Sequence, residues 1–173
     1  LGQWMEDYKE FHLTRDRGRT EVVVWGGDGS KDYFKTKNMF PVYGKIATIL
    51  TALYNIDTFE QIWPWHHAAG DFIIKKKDTG FDVKLITIRG LKNLTEFPGH
   101  TPENKSFRWP ALLFYFLNMT LRVRLDRLNG TGQPEMVEEG VVKYLIEGFI
   151  KGLCTGDEKN EENNLTDVFA SFY

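Results

Sequence analysis

Cysteine is nearly absent. The single Cys154 among 173 residues cannot form an intrachain disulfide, which excludes the small disulfide-stapled secreted domains. Charge of one sign is lacking too: 22 Lys and Arg against 24 Asp and Glu leave a formal net charge of −2. That balance excludes the broad basic footprint of a protein dedicated to coating nucleic acid. No apolar run approaches the ~20 residues of a membrane-spanning helix. The longest runs from Ala111 to Leu117, and Arg122 and Arg124 close it. A signal peptide is not expected over the first ten residues, because Glu6, Asp7, Lys9 and Glu10 interrupt them. The chain begins at Leu1 rather than Met, so a processed or truncated piece is expected.

What is present is a large apolar inventory, 42% hydrophobic and 14% aromatic, which is enough for one core. Residues 1–155 are expected to form a single domain, as a whole protein or as one lobe of a longer parent, with an acidic, mobile tail over 156–173. A soluble, cytoplasmic protein is the expectation. Five Asn-x-Ser/Thr sequons, at Asn93, Asn104, Asn118, Asn129 and Asn164, leave a secreted glycoprotein open. Chance supplies about one such site in a chain of this composition. Asn118, however, sits in an apolar helical stretch that would not accommodate a glycan.

Periodicity predicts an α+β fold, helix-dominated, with a central β-hairpin or small antiparallel sheet. Trp4, Tyr8 and Phe11 recur at helical spacing over 4–13. A β-branched strand over 21–25 ends at a glycine loop. Ile46, Ile49, Leu50 and Leu53 mark a helix over 41–54 with Pro41 in its first turn, and 58–63 adds one more turn. Two strands, 71–77 and 81–89, join through Asp78-Thr79-Gly80 as a hairpin. On the second strand Asp82 and Lys84 share one face and Phe81, Val83 and Leu85 the other. Residues 92–105 read as a loop. A helix over 110–128 is expected to bury Leu113, Leu117, Leu121, Leu125 and Leu128 and to pair Arg122 with Asp126 outside. A last helix spans 137–153, with Cys154 as a small core residue near its end.

Two clusters carry candidate chemistry. The first is Gly26-Gly27-Asp28-Gly29-Ser30 at the end of the valine strand. Glycines there let backbone N–H groups approach a phosphate, and an Asp can hold Mg²⁺, so Gly26, Gly27, Gly29 and Ser30 are candidate ligand-binding residues. These residues resemble the Gly-Gly-Asp-Gly-Ser/Thr loop of the diacylglycerol, NAD and phosphofructokinase superfamily. Asp28, Ser30 and Asp32 also have the spacing of a calcium loop, although Tyr33 takes its glycine position. An ordinary glycine turn with an exposed Asp is the favoured reading of the segment.

The second cluster is Trp63-Pro64-Trp65-His66-His67-Ala68-Ala69-Gly70-Asp71-Phe72, followed by the hairpin. It resembles the catalytic loop of aminoglycoside-phosphotransferase-type kinases, and Asp82-Val83-Lys84-Leu85-Ile86 is similar to the strand leading to their metal-binding Asp. The resemblance implies a kinase second lobe that handles a phosphate-containing small molecule with Mg²⁺ and ATP, with Asp71 as base and His67 and Lys84 beside it. Lys76 stands where the family has a metal-holding Asn, and Thr87 where it has an Asp, which points to a pseudokinase lobe or a fragment.

The same residues support an alternative. Asp71 followed by Asp82-x-Lys84 resembles the carboxylate pattern of metal-dependent nucleases, in which Asp71 and Asp82 hold Mg²⁺ and Lys84 orients water. Lys75, Lys76 and Lys77 would then face a nucleic-acid backbone. His66, His67 and Asp71 could form a metal site only on an irregular loop. Trp63 and Trp65 read as core rather than as a stacking platform. A non-catalytic binding or structural domain is the remaining alternative, and it predicts the same charged side chains splayed or salt-bridged on an exposed hairpin.

Overall fold

The computed structural model describes residues 5–65, 68–97, 99, 101 and 104–157. Three antiparallel strands, β1 (Glu10–Asp16), β2 (Arg19–Trp25) and β3 (Lys31–Lys35), form a sheet in the order β1-β2-β3. Helix α1 (Thr36–Ala52) follows directly. Strands β5 (Phe72–Lys77) and β6 (Gly80–Leu85) make the hairpin, and β4 (Glu60–Ile62) pairs with β7 (Leu91–Asn93). Helix α2 (Arg108–Arg124) runs into β8 (Leu125–Arg127), which pairs with β9 (Pro134–Met136), and α3 (Val142–Asp157) ends the described chain. The fold is α+β with antiparallel sheets, as the patterning predicts.

The first segment departs from expectation. Residues 10–16 are a strand, not the end of a helix. Phe11 and Leu13 face the core, while His12 and Thr14 are buried on the opposite side. The alternation of Phe11 and Leu13 with His12 and Thr14 spans only four residues, and the Trp4, Tyr8, Phe11 spacing imitated a helix. Asp126 supplies the second cover: its carboxylate accepts from the Leu13 amide at 2.6 Å and lies 3.2 Å from His12 Nδ1. The expected pair of Arg122 with Asp126 therefore does not form. Arg122 instead donates to Asn118 Oδ1 and the Trp65 carbonyl and lies 4.3 Å over the Trp63 ring.

Other elements shift for local reasons. Helix α1 starts at Thr36, so Pro41 lies inside it rather than in the first turn. Residues 60–62 form a strand rather than a turn of helix, because β7 emerges from the expected loop to pair with them. In the hairpin, Lys77 pairs with Gly80 and Gly80 takes a φ of +89°, a backbone conformation that favours glycine. Cys154 is exposed, not core.

Helix α2 is the largest correction. Its buried residues are Ala111, Leu112, Tyr115, Met119 and Val123. Leu113, Leu117 and Leu121 point outward, 58%, 54% and 59% exposed, and Leu125 begins β8 as an exposed residue. Leucines four apart define a stripe, but the aromatic and small residues between them fill the core side.

One hydrophobic cluster extends from Phe11 to Leu153. Its densest seam is α1 against α3. A Cβ on Gly148 would lie 2.1 Å from the Gly44 carbonyl oxygen, and one on Gly152 would lie 2.6 Å from Thr51 Cβ. Backbone touches backbone there, so a side chain has no room. An alanine normally favours a helix by ~1 kcal/mol over glycine, yet overpacking costs ~1–3 kcal/mol or more. Gly148→Ala should therefore lower stability by about 2 kcal/mol. Gly27→Ala, whose Cβ meets nothing within 4 Å, should change it by less than ~0.5 kcal/mol. Urea denaturation midpoints of the two variants check this.

Candidate functional site

The three-stranded sheet and the hairpin meet through one antiparallel bridge. The Lys9 amide donates to the Ile74 carbonyl at 2.8 Å, and the Ile74 amide returns a bond to the Lys9 carbonyl at 3.0 Å. Beside this bridge the strands separate and leave a cleft of about 350 Å³. Val24, Phe34, Ile74 and Phe81 supply apolar lining, with Phe34 and Phe81 edge to face at 5.4 Å. Asp7, Lys9, Asp32, Lys75 and Lys76 supply the charged lining. Each aspartate is held by one lysine: Lys75 to Asp7 at 2.8 Å and Lys9 to Asp32 at 3.8 Å. The Lys75 contact holds the Asp7 carboxyl below its ordinary value. Among the described residues Lys76 has no ion-pair partner. Exposed pairs of this kind are worth ~1 kcal/mol or less, so a multiply charged anion can displace the aspartates from their lysines.

The glycine loop adjoins this cleft, two residues beyond Val24, but three of its five amides are bonded within the loop itself. Gly26 N donates to the Ser30 carbonyl, Gly29 N to the Gly26 carbonyl, and Ser30 N to Asp28 Oδ1. The Ser30 hydroxyl, then its amide, hold the Asp28 carboxyl below its ordinary value. A Cβ at Gly26 would lie 2.1 Å from Ser30 Oγ and 2.5 Å from Asp28 Oδ1, so a side chain there would displace the hydroxyl and carboxylate that close the turn. Gly26, Gly29 and Ser30 thus build a self-bonded turn rather than a phosphate cradle, and none of Gly26, Gly27, Gly29 or Ser30 lines the cleft.

The carboxylates of the second cluster stand apart. Asp71 is buried and accepts from Arg89 Nη1 at 2.7 Å, while its carbonyl accepts from the Ile86 amide. Asp82 pairs with Lys75, four residues along the hairpin from Asp71, a separation of about 13 Å at ~3.3 Å per residue. That distance is too long for Asp71 and Asp82 to share one metal ion, which departs from the arrangement that the nuclease alternative expects. Asp82 accepts from the Tyr8 hydroxyl, and Lys84 Nζ lies 4.8 Å from the Tyr8 ring centroid. Asp82 and Lys84 do share a face, as strand parity predicts, but Tyr8 occupies it. Neither Asp71, Asp82 nor Lys84 lines the cleft. His66 and His67 lie outside the described residues. Trp65 is buried, as expected. Among the described residues, no three His, Cys, Asp or Glu side chains are grouped to hold a metal ion.

Sequence reasoning missed Lys9, Phe34 and the cleft facing of Phe81, and considered Asp32 only as part of a calcium loop. The only signal was period two: Phe34 is one residue from the end of a five-residue strand, and Lys9 looked helical. No family model, curated protein or solved structure matches this chain. Among the described residues, no helix is long and apolar enough to cross a membrane.

Two outcomes follow from these pairings. The Tyr8 hydroxyl lowers the Asp82 pKa, while that pairing raises the Tyr8 pKa to about 12. A depressed carboxylate contributes stability above its unfolded pKa and loses it as pH falls through the folded value; a raised phenol contributes below its unfolded pKa and loses it as pH rises through about 12. Tyr8→Phe should therefore flatten the acid loss of stability below about pH 4 and return Asp82 to the ordinary carboxylate range in an NMR titration. Arg89→Met leaves a buried carboxylate without its charged donor and should cost ~1–3 kcal/mol in chemical denaturation.

Proposed function

We propose that this chain is a binding module for a phosphate-containing small molecule with a flat apolar body, held in the cleft between the sheet and the hairpin. The observation that carries the reading is the cleft's composition: an apolar, two-phenylalanine lining beside three lysines, one of them without an ion-pair partner. Small-molecule sites combine an apolar wall with a few placed polar groups in this way. Lys9, Lys75 and Lys76 would meet the phosphates, while Phe34 and Phe81 would pack against the body of the ligand.

The catalytic alternatives draw less support. A phosphotransferase base must reach the substrate hydroxyl, and Asp71 is buried against Arg89 and remote from the cleft lining. A nuclease needs both carboxylates on one ion, and the hairpin register separates Asp71 from Asp82. The arrangement of these side chains, bonded in pairs along the hairpin, is what the non-catalytic alternative predicts.

Calorimetric titration with ADP and with inorganic pyrophosphate, each with and without Mg²⁺, tests the proposal. Binding with a Kd at or below about 1 mM is expected, weakened about tenfold by Lys76→Glu and left unchanged by Lys143→Glu on the distant face of α3. Absence of binding by every probe, or equal binding by wild type and Lys76→Glu, would overturn it.

A further inference from the structure

Helix α2 is apolar on two opposite sides. One side packs in the core through Leu112, Tyr115 and Met119, and the other presents Leu113, Phe114, Leu117 and Leu121 to solvent, continued by Leu125 and Met136. Together these six expose roughly 600 Å² of residue surface, near the ~800 Å² per side of a standard interface. A helix that is apolar all round belongs in an interior. The face is bordered by cationic side chains: Arg122 lines a shallow surface depression with Leu121, Leu125 and Met136, and α2 holds no acidic residue, while Arg108 at its start is already paired with Asp57. The hydrogen bonds of Arg122 and Arg124 run to uncharged oxygens, at Asn118, Trp65 and Val137. Their charge is therefore not neutralised by those partners.

The sequence supplies a matching counterpart. Residues 158–173 hold Glu158, Glu161, Glu162 and Asp167 against the single Lys159. They also place Leu165, Val168, Phe169 and Phe172 at the i, i+3, i+4, i+7 spacing of one helical face. The point of departure fits as well. The Val137 amide is bonded to the Arg124 carbonyl at the α2 end, α3 begins five residues later, and Phe149 packs against Phe116 at 4.9 Å. Helix α3 therefore runs against the direction of α2, and Asp157 lies toward the α2 start. Seven residues, 158–164, reach up to ~23 Å. A nine-residue helix would span ~14 Å, against ~12 Å between Leu113 and Leu121 on α2.

We propose that residues 158–173 of this chain cover the outer face of α2, with the apolar set on the leucine stripe and the acidic set toward the arginines. A second copy of the chain could place the same segment there in trans, and the experiment separates the two. In the full chain carrying Cys154→Ser, the pair Leu117→Cys and Phe169→Cys is oxidised mildly and resolved by non-reducing electrophoresis. Neighbouring positions Leu113→Cys and Leu121→Cys are paired with Phe169→Cys to allow for register. In parallel, binding of the dye ANS is compared between wild type and Phe169→Glu, with circular dichroism confirming an unchanged fold. The expected result is a cross-linked monomer for at least one pair and a several-fold rise in ANS fluorescence in Phe169→Glu. Cross-linked dimer alone overturns covering within one chain. Failure of all three pairs to cross-link, with ANS binding the same in wild type and Phe169→Glu, overturns covering altogether.

Discussion

The contact of α1 with α3 is the constraint on which the rest of the structure depends. Gly44, Gly148 and Gly152 let the two backbones touch, so the helices form a closely packed pair and the other elements attach around it. Phe40, Tyr43, Ile46 and Leu50 on α1, with Leu145, Phe149 and Leu153 on α3, extend from that pair into the common core. The hairpin leans on α1: the Lys45 ammonium donates to the Phe81 carbonyl, while Phe81 meets Phe34 from β3. The cleft's dimensions are thus inherited from a helix pair that contributes none of its lining. Close backbone approach is unforgiving in a way that ordinary side-chain packing is not, because no rotamer change relieves it.

Charge on the hairpin is organised in local pairs, and this decides what the residues can do. Asp71 has Arg89, Asp82 has Tyr8, and Asp7 has Lys75. A carboxylate already held by a donor within its own scaffold is a structural strut. The exposed pairs at the cleft differ from the buried one at Asp71: they cost little to exchange, so the surface that looks neutral in composition offers lysines to an incoming anion. The near-zero net charge of the whole chain conceals this, because it averages over pairs that are distributed unevenly.

The parts of the fold legible in the sequence were those with a strong local signal: turn residues, a β-branched run or a helical period. The hairpin at 78–80, the valine strand β2 and the helical nature of α1, α2 and α3 followed from period and turn chemistry. Strand β1 did not, since its alternation of Phe11 and Leu13 with His12 and Thr14 is only four residues long and overlaps the helical spacing of Trp4, Tyr8 and Phe11. The orientation of α2 did not either: both of its faces are apolar, and only tertiary contact distinguishes the face with Tyr115 and Met119 from the one with Leu117 and Leu121. At the candidate site, sequence reading chose residues by chemical type. It found Asp82 and Lys84 on one face but could not know that Tyr8, 74 residues earlier, fills the space between them. The cleft depends on where β1 stops pairing with β5, and that is a property of register between distant strands.

Strand β1 has one further consequence, for the order in which the chain can acquire its structure. Its outer side is completed by Asp126, 113 residues downstream of the Leu13 amide it accepts. Closing so long a loop is entropically expensive and must be repaid by contacts that appear only afterwards. During synthesis, the sheet can pair β1 with β2 as soon as the Arg17-Gly18 turn emerges. The Leu13 amide and His12 ring must wait for water to be replaced until most of the chain has left the ribosome. The sheet is therefore built early on one face and late on the other.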